Sequence, residues 1–554
     1  MGGIDVCALR RAAPDSPISV VAPVFRQQDG SGAKARSGCG LVFGTGGLRG
    51  VLGAGPDRMN CLTVARATEG LAGYLLSTGG RRVTVAYDTR KGSQAFAAVT
   101  SGVLALHGIR VWMFEQPFPT PILSFAVRAL GCDAGVMITA SHNPANYNGY
   151  KVYGADGGQI TDEVAKAITE HIQRVDHTQA WLPRGESGAR GLVRPVPPEV
   201  YHDYIQKTLS CRLVAGGVRP VLRLAYTPLY GTGLLPVRDV LSCMPGIEFV
   251  EVAEQCAPDG SFPTCPRPNP ELREALAAGI DTARREAAEL LLATDPDCDR
   301  VGVAVRQRDG DYRVLTGNEV GLLMMEYVLS RRPDSPGATR VVFKTVVTSD
   351  LAFSIARRYG AEVREVLTGF KYIGEAIGCM EARGETDRFA FGFEDSCGYL
   401  AGTHVRDKDG VMACMLVAEM AQAYAAEGKT LAQAMDALYA DFGYLSSRLL
   451  SFDIREQLPM EAMADAMKRL RAHPPEVLGY GPVCYVRDYL PGISGLPPSD
   501  VLCFGNAAGA KAVVRPSGTE PKMKVYLSAK GKNTGDVEQL LDRMARQVEG
   551  WFGA

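Results

Sequence analysis

Short apolar runs alternate with stretches of helical apolar spacing over most of this 554-residue chain, and the alternation limits the folds available to it. Helical spacing at 59–78 is followed by strand-like runs at 83–87, 109–114 and 134–138, with further helical stretches between them. Strands that are connected through helices usually pair in parallel. The pattern therefore predicts an α/β fold with a largely parallel sheet that is covered by helices.

The same alternation recurs and indicates how the chain is divided into domains. Later strand-like runs are at 221–226, 289–293, 340–345 and 389–393. A chain of this length is too long for one core, because domains usually hold about 100–200 residues. After residue 443 the order changes to long helices between well-spaced strands. The predicted units are a loose N-terminal arm at 1–38, α/β domains at 39–195, 196–318 and 319–443, and a C-terminal α+β domain at 444–554.

Composition argues against several classes of partner and location. The formal net charge is −1, so nothing indicates a nucleic acid or an anionic membrane as partner. No apolar run reaches the roughly 18 residues of a membrane span, and the N-terminus lacks the apolar core of a signal peptide. The 14 cysteines show no Cys-x-x-Cys spacing, which favours free thiols in a reducing cytosol over disulfides or zinc sites. We therefore expect a cytoplasmic protein.

The first candidate functional loop, residues 139–144 with the sequence TASHNP, directly follows the apolar run at 134–138. A serine at the carboxyl end of a buried strand lies where α/β sheets hold their ligands. The loop lacks the G-x-S-x-G pattern of a hydrolase nucleophile. Ser141 is therefore a candidate for carrying a group such as a phosphoryl group, with an ordinary turn as the alternative. We interpret His142 as an orienting or hydrogen-bonding neighbour rather than a general base.

The second candidate loop, residues 295–300 with the sequence DPDCDR, also follows a strand-like run. In an extended loop Asp295, Asp297 and Asp299 point the same way, and three carboxylates suit a hard divalent cation. An EF-hand is excluded, because Arg300 stands where that loop requires glycine. A solvated acidic turn is the alternative, but three aligned acids repel one another without a cation. The sequence therefore predicts a metal site with room for a phosphoryl oxygen.

The third candidate loop, residues 392–398 with the sequence GFEDSCG, again lies at the end of a strand-like run. Glu394 and Ser396 alternate with bulkier neighbours and could both contact a polyol, because a carboxylate accepts from hydroxyls and a serine donates or accepts. Alone this pattern is weak, and a loop with a capping role is an equal alternative.

The fourth candidate loop, residues 515–522 with the sequence RPSGTEPK, combines an arginine, two hydroxyls and a glycine. Such a loop can bind a phosphate dianion through the guanidinium, the hydroxyls and the backbone amides. Arg515 supplies a permanent charge, because its guanidinium does not lose its proton in practice. An ordinary polar turn is the alternative.

The spacing of the four loops supports reading them together, because neighbouring loops lie about one domain length apart. One functional loop in each domain implies a cleft where four domains meet. The glycine-rich segment 44–50 lacks the G-x-G-x-x-G spacing, and the chain has no Walker-type G-x-x-x-x-G-K-[ST] segment. A site for a dinucleotide or a nucleoside triphosphate is therefore unsupported.

Together the four loops resemble the signature loops of the α-D-phosphohexomutase family, and the resemblance covers about residues 41–554. It implies three related α/β domains with mixed sheets between helices and a C-terminal α+β domain, arranged around a central cleft. Residues 43–50, FGTGGLRG, and the surroundings of Glu394 are most similar to the bacterial-type phosphoglucomutases of the family. The residues before Leu41 do not resemble the family's usual helical start, so the beginning of the first domain stays open.

The resemblance also implies roles for the matching residues. Ser141 would carry phosphate and, together with Asp295, Asp297 and Asp299, would hold Mg²⁺. The substrate-binding set would be Arg300, Thr368, Gly369, Lys371, Glu394, Ser396, Arg515, Ser517, Gly518 and Thr519, the last four holding the phosphate that does not react. The catalytic set would be Ser141, His142, Arg49, Lys151 and Lys408. In that set Lys151 is the preferred general acid or base, and Lys408 is the alternative.

The activity that the resemblance implies is the interconversion of glucose 1-phosphate and glucose 6-phosphate. It would run through a phosphoserine enzyme and a glucose 1,6-bisphosphate intermediate that also serves as activator. The expected partners are small sugar phosphates, and the expected assembly is a monomer or a homodimer. A phosphomannomutase, a phosphopentomutase and a catalytically silent sugar-phosphate-binding protein are the alternatives.

Overall fold

Four large β-sheets follow one another along the chain in a computed structural model. The structure describes residues 41, 43, 47–175, 191–214, 220–332, 339–453, 460–493, 495–516 and 522–552. The predicted arm at 1–38 lies outside the described residues, as do Ser517, Gly518 and Thr519.

The first sheet has six strands and contains the predicted parallel pairs. Its strands are β1 (Gly47–Val51), β2 (Arg82–Tyr87), β3 (Arg110–Met113), β4 (Ala134–Ile138), β5 (Tyr147–Gly154) and β6 (Val193–Pro195). Its helices are α1 (Cys61–Thr78), α2 (Ser93–Leu106), α3 (Thr120–Ala129) and α4 (Asp162–Gln173). The spatial order is β1-β5-β4-β2-β3-β6, with β2 parallel to β3 and β4. The sheet is mixed rather than largely parallel, because the short connection after β4 returns the chain as β5, antiparallel to β4 and β1.

The second sheet has five strands in the order β11-β10-β9-β7-β8. They are β7 (Leu222–Thr227), β8 (Ile247–Glu251), β9 (Leu290–Thr294), β10 (Val301–Arg306) and β11 (Tyr312–Leu315). The accompanying helices are α5 (Pro198–Leu209), α6 (Leu234–Ser242), α7 (Ala253–Cys256) and α8 (Ala277–Arg285). Strand β7 is parallel to β8 and β9, and β10 returns antiparallel to β9 across the acidic loop.

The third sheet has four strands in the order β13-β12-β14-β15. They are β12 (Val341–Thr345), β13 (Glu362–Val366), β14 (Phe389–Glu394) and β15 (Gly398–Leu400). The helices are α9 (Gly317–Arg331), α10 (Leu351–Arg358), α11 (Phe370–Ala382), α12 (Gly410–Ala426) and α13 (Leu431–Phe442), and a 3-10 turn spans Thr386–Arg388. Helix α9 begins at a capping box, in which Thr316 and Glu319 satisfy each other's backbone amides.

The fourth sheet is antiparallel throughout, which fits the predicted α+β class of this part of the chain. The strands of this region are β16 (Tyr444–Asp453), β17 (Val477–Leu478), β18 (Gly481–Pro482), β19 (Tyr485–Asp488), β20 (Leu502–Gly505), β21 (Lys511–Pro516) and β22 (Lys522–Gly531). The large sheet has the order β16-β22-β21-β20-β19, while β17 and β18 form a separate pair. Helices α14 (Met460–Ala472) and α15 (Thr534–Phe552) accompany it.

Apolar packing holds the sheets in fixed positions around one another. A continuous core of buried side chains runs through the first three units, and Phe125 of α3 meets Tyr204 of α5 with ring centroids 5.8 Å apart. The fourth unit has its own core and meets the third through a smaller cluster that includes Val347 and Val513. This packing fixes the relative positions of the loops that leave β4, β9 and β14.

Two expectations drawn from composition can be compared with the described residues. Twelve cysteines lie there, all of them as free thiols, and Cys132, Cys298 and Cys414 are among the buried ones. None of the helices in the described ranges has both the length and the apolar character of a membrane span.

Candidate active site

Loops from all four sheets border one cleft of about 740 Å³, which confirms the predicted cleft. The cleft is lined by Arg49, Ser141, His142, Lys151, Asp299, Arg300, Thr368, Gly369, Lys371, Glu394, Ser396, Lys408 and Arg515. Asp295 and Asp297 are fully buried and contact Ser141 and Lys151, respectively. The structure thus brings together every predicted site residue that it describes.

Ser141 is held in an unusual backbone conformation immediately after β4. Its φ of 51° lies in the left-handed region, which non-glycine residues adopt rarely and at a cost in conformational energy. The Ser141 amide donates to Oγ1 of Thr139 at 2.8 Å, and the Ser141 hydroxyl donates to Oδ2 of Asp295 at 2.6 Å. The serine of the first sheet is therefore joined directly to the acidic loop of the second sheet.

A buried arginine, which the sequence analysis did not single out, holds the serine loop in place. Arg90 donates to four carbonyl oxygens of the loop: those of Ser141, Asn143 at 2.5 Å, Pro144 at 2.9 Å and Tyr147 at 3.2 Å. One guanidinium therefore fixes the path of the chain from the strained residue to the first residue of β5. A charged residue just past the buried strand β2, at the same sheet edge as the serine loop, was the sequence signal that could have identified it.

Asp88 completes this support from the end of β2. It accepts hydrogen bonds from the hydroxyls of Thr139 at 2.6 Å and Ser93 at 2.7 Å, and it lies 3.3 Å from the Arg90 guanidinium. Both partners of the ion pair have fully buried side chains. Removing one of them would leave the other as an uncompensated buried charge.

Replacing Arg90 by lysine is expected to impair turnover while the protein stays folded. An ammonium group keeps the charge beside Asp88 but cannot reach four carbonyl oxygens with a planar fork. The serine would then be misplaced, and a displacement of about 1 Å can cost up to about 10²-fold in rate. The turnover number and the melting temperature would be measured together, with Arg110→Lys at an exposed position of the same sheet as control. Wild-type kcat in R90K would contradict the role assigned to Arg90.

The three aspartates converge, but through a turn rather than through the extended loop that the sequence suggested. The Cys298 amide donates to the Asp295 carbonyl at 2.8 Å, and Cys298 adopts a φ of 52°. One carboxylate oxygen from each of Asp295, Asp297 and Asp299 lies within 4.8 Å of the others. Cys298 thus forms the bend and buries its thiol in the core.

The charges of the aspartates are arranged to receive a cation. Burial and the neighbouring carboxylates raise the pKa of Asp295. Burial would also raise the pKa of Asp297, but Lys151 outweighs that effect and lowers it. Oδ1 of Asp297 and Oδ1 of Asp299 are buried and have no hydrogen-bond partner in the described part of the chain. These oxygens fit a hard divalent cation, which prefers oxygen ligands.

Two lysines from different units of the fold meet at the acidic loop. Nζ of Lys151, on β5, lies 2.8 Å from Asp297 and 3.6 Å from Asp299. Nζ of Lys408, just before α12, lies 3.2 Å from Asp299 and 3.0 Å from Asp407. Burial alone would lower both lysine pKa values, but the carboxylates outweigh it and raise them. Both side chains are therefore ammonium groups at neutral pH.

His142 is set up to accept or donate a hydrogen bond as a neutral ring. Its Nδ1 lies 3.2 Å from the Ser141 hydroxyl. Burial, together with the cations Arg300 and Arg49, lowers the pKa of His142 well below its usual value. A neutral imidazole beside the serine fits the predicted orienting role. Arg49 also donates to the side-chain oxygen of Asn143 at 3.0 Å.

The loop after β14 presents carboxylates to the cleft from the third sheet. Glu394 accepts a hydrogen bond from the Gly369 amide at 2.9 Å, and burial raises its pKa. Burial and Glu394 together raise the pKa of Asp395 to about 7. Lys371 pairs with Asp162 of α4 at 2.6 Å, so this side of the cleft is joined to the first unit.

The fourth unit contributes two cations to the lining of the cleft. Arg515 lies at the end of β21 with its guanidinium 5.9 Å from the ring centre of Tyr526, and Lys524 also lines the cleft. Arg300, after the acidic loop, pairs with Glu271 at 2.9 Å. Glu271 is a further cleft residue that the sequence analysis did not identify, since it lies in a loop outside the four motifs.

Comparisons with known proteins agree with this geometry. Three family models described as phosphoglucomutase/phosphomannomutase alpha/beta/alpha domains I, II and III match residues 40–179, 199–310 and 316–442. A phosphoglucomutase of Staphylococcus epidermidis is 35% identical over 88% of this chain and 90% of its own length. One of Staphylococcus aureus is 34% identical over 95% of this chain and 96% of its own length.

A solved structure supports the fold. A phosphoglucomutase/phosphomannomutase family protein from Burkholderia thailandensis superimposes with a TM-score of 0.69 at 20% identity, covering 93% of this chain and 98% of that one. The family models and the staphylococcal relatives lead to one assignment. The chain belongs to the phosphoglucomutase/phosphomannomutase family of α-D-phosphohexomutases.

Proposed function

We propose that this protein interconverts glucose 1-phosphate and glucose 6-phosphate through a phosphoserine at Ser141 and a glucose 1,6-bisphosphate intermediate. The observation that carries the proposal is the 2.6 Å hydrogen bond from the Ser141 hydroxyl to Asp295. Among the described residues of the four loops, Ser141 is the serine that contacts the acidic cluster, and it lines the same cleft as the cations Arg515 and Lys524. The staphylococcal relatives named phosphoglucomutase support the choice of glucose phosphates.

Ser141, Asp295, Asp297 and Asp299 are the residues that would hold Mg²⁺. When bound, the ion supplies charge neutralisation for the transferring phosphoryl group. The residues of the chain do the rest of the positioning. Thr120 donates to Oδ2 of Asp297 at 2.9 Å, and the amide of Asp299 donates to Oδ1 of Asp295 at 3.1 Å. The carboxylates are thus oriented before any ligand arrives.

The proposed transfer breaks the bond between Oγ of Ser141 and phosphorus and forms a bond from a sugar hydroxyl oxygen to phosphorus. The sugar hydroxyl loses its proton in this step, and the serine oxygen ends as a hydroxyl that can donate to Asp295, as it does here. The bisphosphate then turns end for end, and its other phosphoryl group returns to Ser141. Mutase turnover therefore needs a second phosphate site that accepts either end of the sugar.

Arg515 and Lys524 are the described residues that we assign to this second phosphate site, together with the predicted contributions of Ser517, Gly518 and Thr519. Glu394 and Ser396 would contact the sugar hydroxyls between the two phosphate sites. Arginine suits this task, because its planar fork binds phosphate through two donors and keeps its charge. The cleft of about 740 Å³ is open enough for a sugar that turns within it.

We assign proton transfer at the sugar oxygen to Lys151, with Lys408 as the alternative: the ammonium group gives its proton to that oxygen when the phosphoryl group leaves the sugar for Ser141. Lys151→Arg is expected to lower kcat by about 10²-fold, because a guanidinium keeps the ion pairs with Asp297 and Asp299 but does not give up its proton. Lys408→Arg serves as the matched comparison and is expected to retain more activity. The measurement is single-turnover transfer from glucose 1,6-bisphosphate to the unphosphorylated enzyme, the step in which the sugar oxygen gains a proton. A larger loss in K408R than in K151R would transfer the role to Lys408.

A coupled assay tests the function directly. Glucose 1-phosphate, mannose 1-phosphate and ribose 1-phosphate would be compared with Mg²⁺ and a trace of the corresponding bisphosphate. The expected order of kcat/KM places glucose first. A preference for mannose or ribose phosphate would assign the chain to another branch, and inactivity with all three would support a silent binding protein.

Intact-mass analysis gives an independent check on the phosphoserine. An increment of about 80 Da is expected on the resting enzyme and should disappear on incubation with a sugar monophosphate.

Size-exclusion chromatography of the same sample would decide between a monomer and a homodimer, the two expected assemblies. The free thiols of the described residues fit the cytoplasmic location that we propose.

A further inference from the structure

A carboxylate of the first unit binds two donors of the third unit inside the cleft. Oδ1 of Asp162 lies 2.6 Å from Nζ of Lys371, and the hydroxyl of Tyr372 donates to Oδ2 of Asp162 at 3.1 Å. Nζ of Lys371 also lies 4.8 Å from the ring centre of Tyr372. All three residues belong to the lining of the active-site cleft.

The two donors form a site of the kind that binds an oxyanion. Lys371 and Tyr372 are the second and third residues of helix α11, which has no acidic residue in its first turn. The helix dipole favours a negative charge at this end of a helix, and the ammonium group strengthens that preference. The two oxygens of the Asp162 carboxylate satisfy the two donors, and two oxygens of a phosphate group can do the same.

Asp162 is the member of this contact that can move away. Its side chain is 60% exposed, whereas that of Lys371 is only 7% exposed. Asp162 is also the first residue of α4, where the dipole of its own helix stabilises a negative charge. The buried ammonium group has no such alternative, because a buried charge without a partner is costly. A competing anion would therefore displace Asp162 and leave Lys371 in place.

The contact lies close to the arginine that we assign to the second phosphate site. Burial and Asp162 raise the pKa of Tyr372, while the positive charge of Arg515 acts in the opposite direction. Tyr372 also packs against the apolar cluster that joins the third and fourth units. A phosphate group bound by Arg515 thus has Lys371 and Tyr372 as neighbouring donors in the same cleft.

We propose that Asp162 competes with the non-reacting phosphate of the substrate for Lys371 and Tyr372, and thereby limits the affinity of the second phosphate site. The inference rests on the function proposed above and concerns a residue outside the four motif loops. The phosphate takes over the ammonium group and the hydroxyl, and Asp162 turns toward solvent. No covalent bond changes in this exchange. Because the bisphosphate must leave this site in order to turn, an internal competitor favours its release.

Binding of inorganic phosphate tests the competition without any need for mutase activity. Titration calorimetry on the full-length protein should show an affinity about two- to fivefold higher for Asp162→Asn than for the wild type, as expected for the loss of one partly exposed ion pair. Glu163→Gln is the matched control, because it removes a charge of the same sign from an exposed neighbour in the same turn. Unchanged or weaker binding by D162N would overturn the proposal, and so would equal tightening in E163Q.

Lys371→Met tests whether Asp162 acts through the lysine. K371M should bind inorganic phosphate more weakly than the wild type, and adding D162N to it should raise the affinity less than D162N does alone, because the two substitutions remove the same contact. Equal tightening by D162N in both backgrounds would refute the competition for Lys371. Because phosphate binding requires no turnover, these results hold whether or not glucose phosphates prove to be the substrates.

Discussion

Ser141→Ala is expected to abolish mutase turnover, by about 10⁴-fold or more, and to leave the fold intact. The hydroxyl oxygen is the proposed acceptor and donor of the phosphoryl group, and no other atom at this position can form that bond. The fold should survive because alanine is no more strained than serine at a φ of 51°. The loss of the hydrogen bond to Asp295 should cost about 1–3 kcal/mol of stability.

Turnover of glucose 1-phosphate, intact mass and thermal unfolding would be measured on the same preparation of S141A. The increment of about 80 Da should be missing, and the melting curve should remain cooperative. Ser77→Ala, at an exposed serine of α1, provides the matched control and should behave as wild type in all three measurements. Turnover near the wild-type rate in S141A would rule out the phosphoserine mechanism.

The strands that lead into the site could be predicted from the sequence, because their signal is local. The run at 134–138 is strand β4 with the same limits, and the runs before the acidic loop and before Glu394 are β9 and β14, each shifted at its ends by one residue or less. All three strands are buried along their whole length, so continuous apolar runs mark them. The loops at their carboxyl ends then meet because α/β sheets form their ligand sites at that edge.

The contacts that shape the site could not be predicted, because they join residues far apart in the chain. The hydroxyl of Thr120 reaches Asp297 across 177 positions, and Tyr153 reaches Asp407 across 254. No periodicity or local motif carries such a pairing. The bend at Cys298 was missed for another reason: a positive φ at a non-glycine residue is imposed by the surrounding structure rather than by its own preference.

The support of the serine loop by Arg90 could be predicted only in part. Its position after β2 was visible in the sequence, but a buried arginine that donates to four carbonyl oxygens cannot be distinguished there from a surface residue. The hydrogen bonds from Arg90 hold the strained backbone of Ser141 in place, since a costly conformation persists only where neighbouring groups enforce it. The family's motif residues thus depend on a second set of residues that the motifs do not include.

Asp297→Asn is expected to remove at least about 3–4 kcal/mol of transition-state stabilisation, a loss of roughly 10²–10³-fold in kcat/KM. Asparagine keeps the shape and can still accept from Thr120, but it lacks the charge that Lys151 holds in the ionised form and that a divalent cation requires. Activity and Mg²⁺ binding by calorimetry would be measured for D297N and for Asp309→Asn. Asp309 is exposed, so its substitution should change neither the activity nor the Mg²⁺ binding.

The wild type should lose turnover in excess EDTA and regain it when Mg²⁺ is restored. Full activity of the wild type in EDTA would refute the metal site, whereas weakened Mg²⁺ binding in D297N alone would locate the ion among the three aspartates that lie beside Ser141.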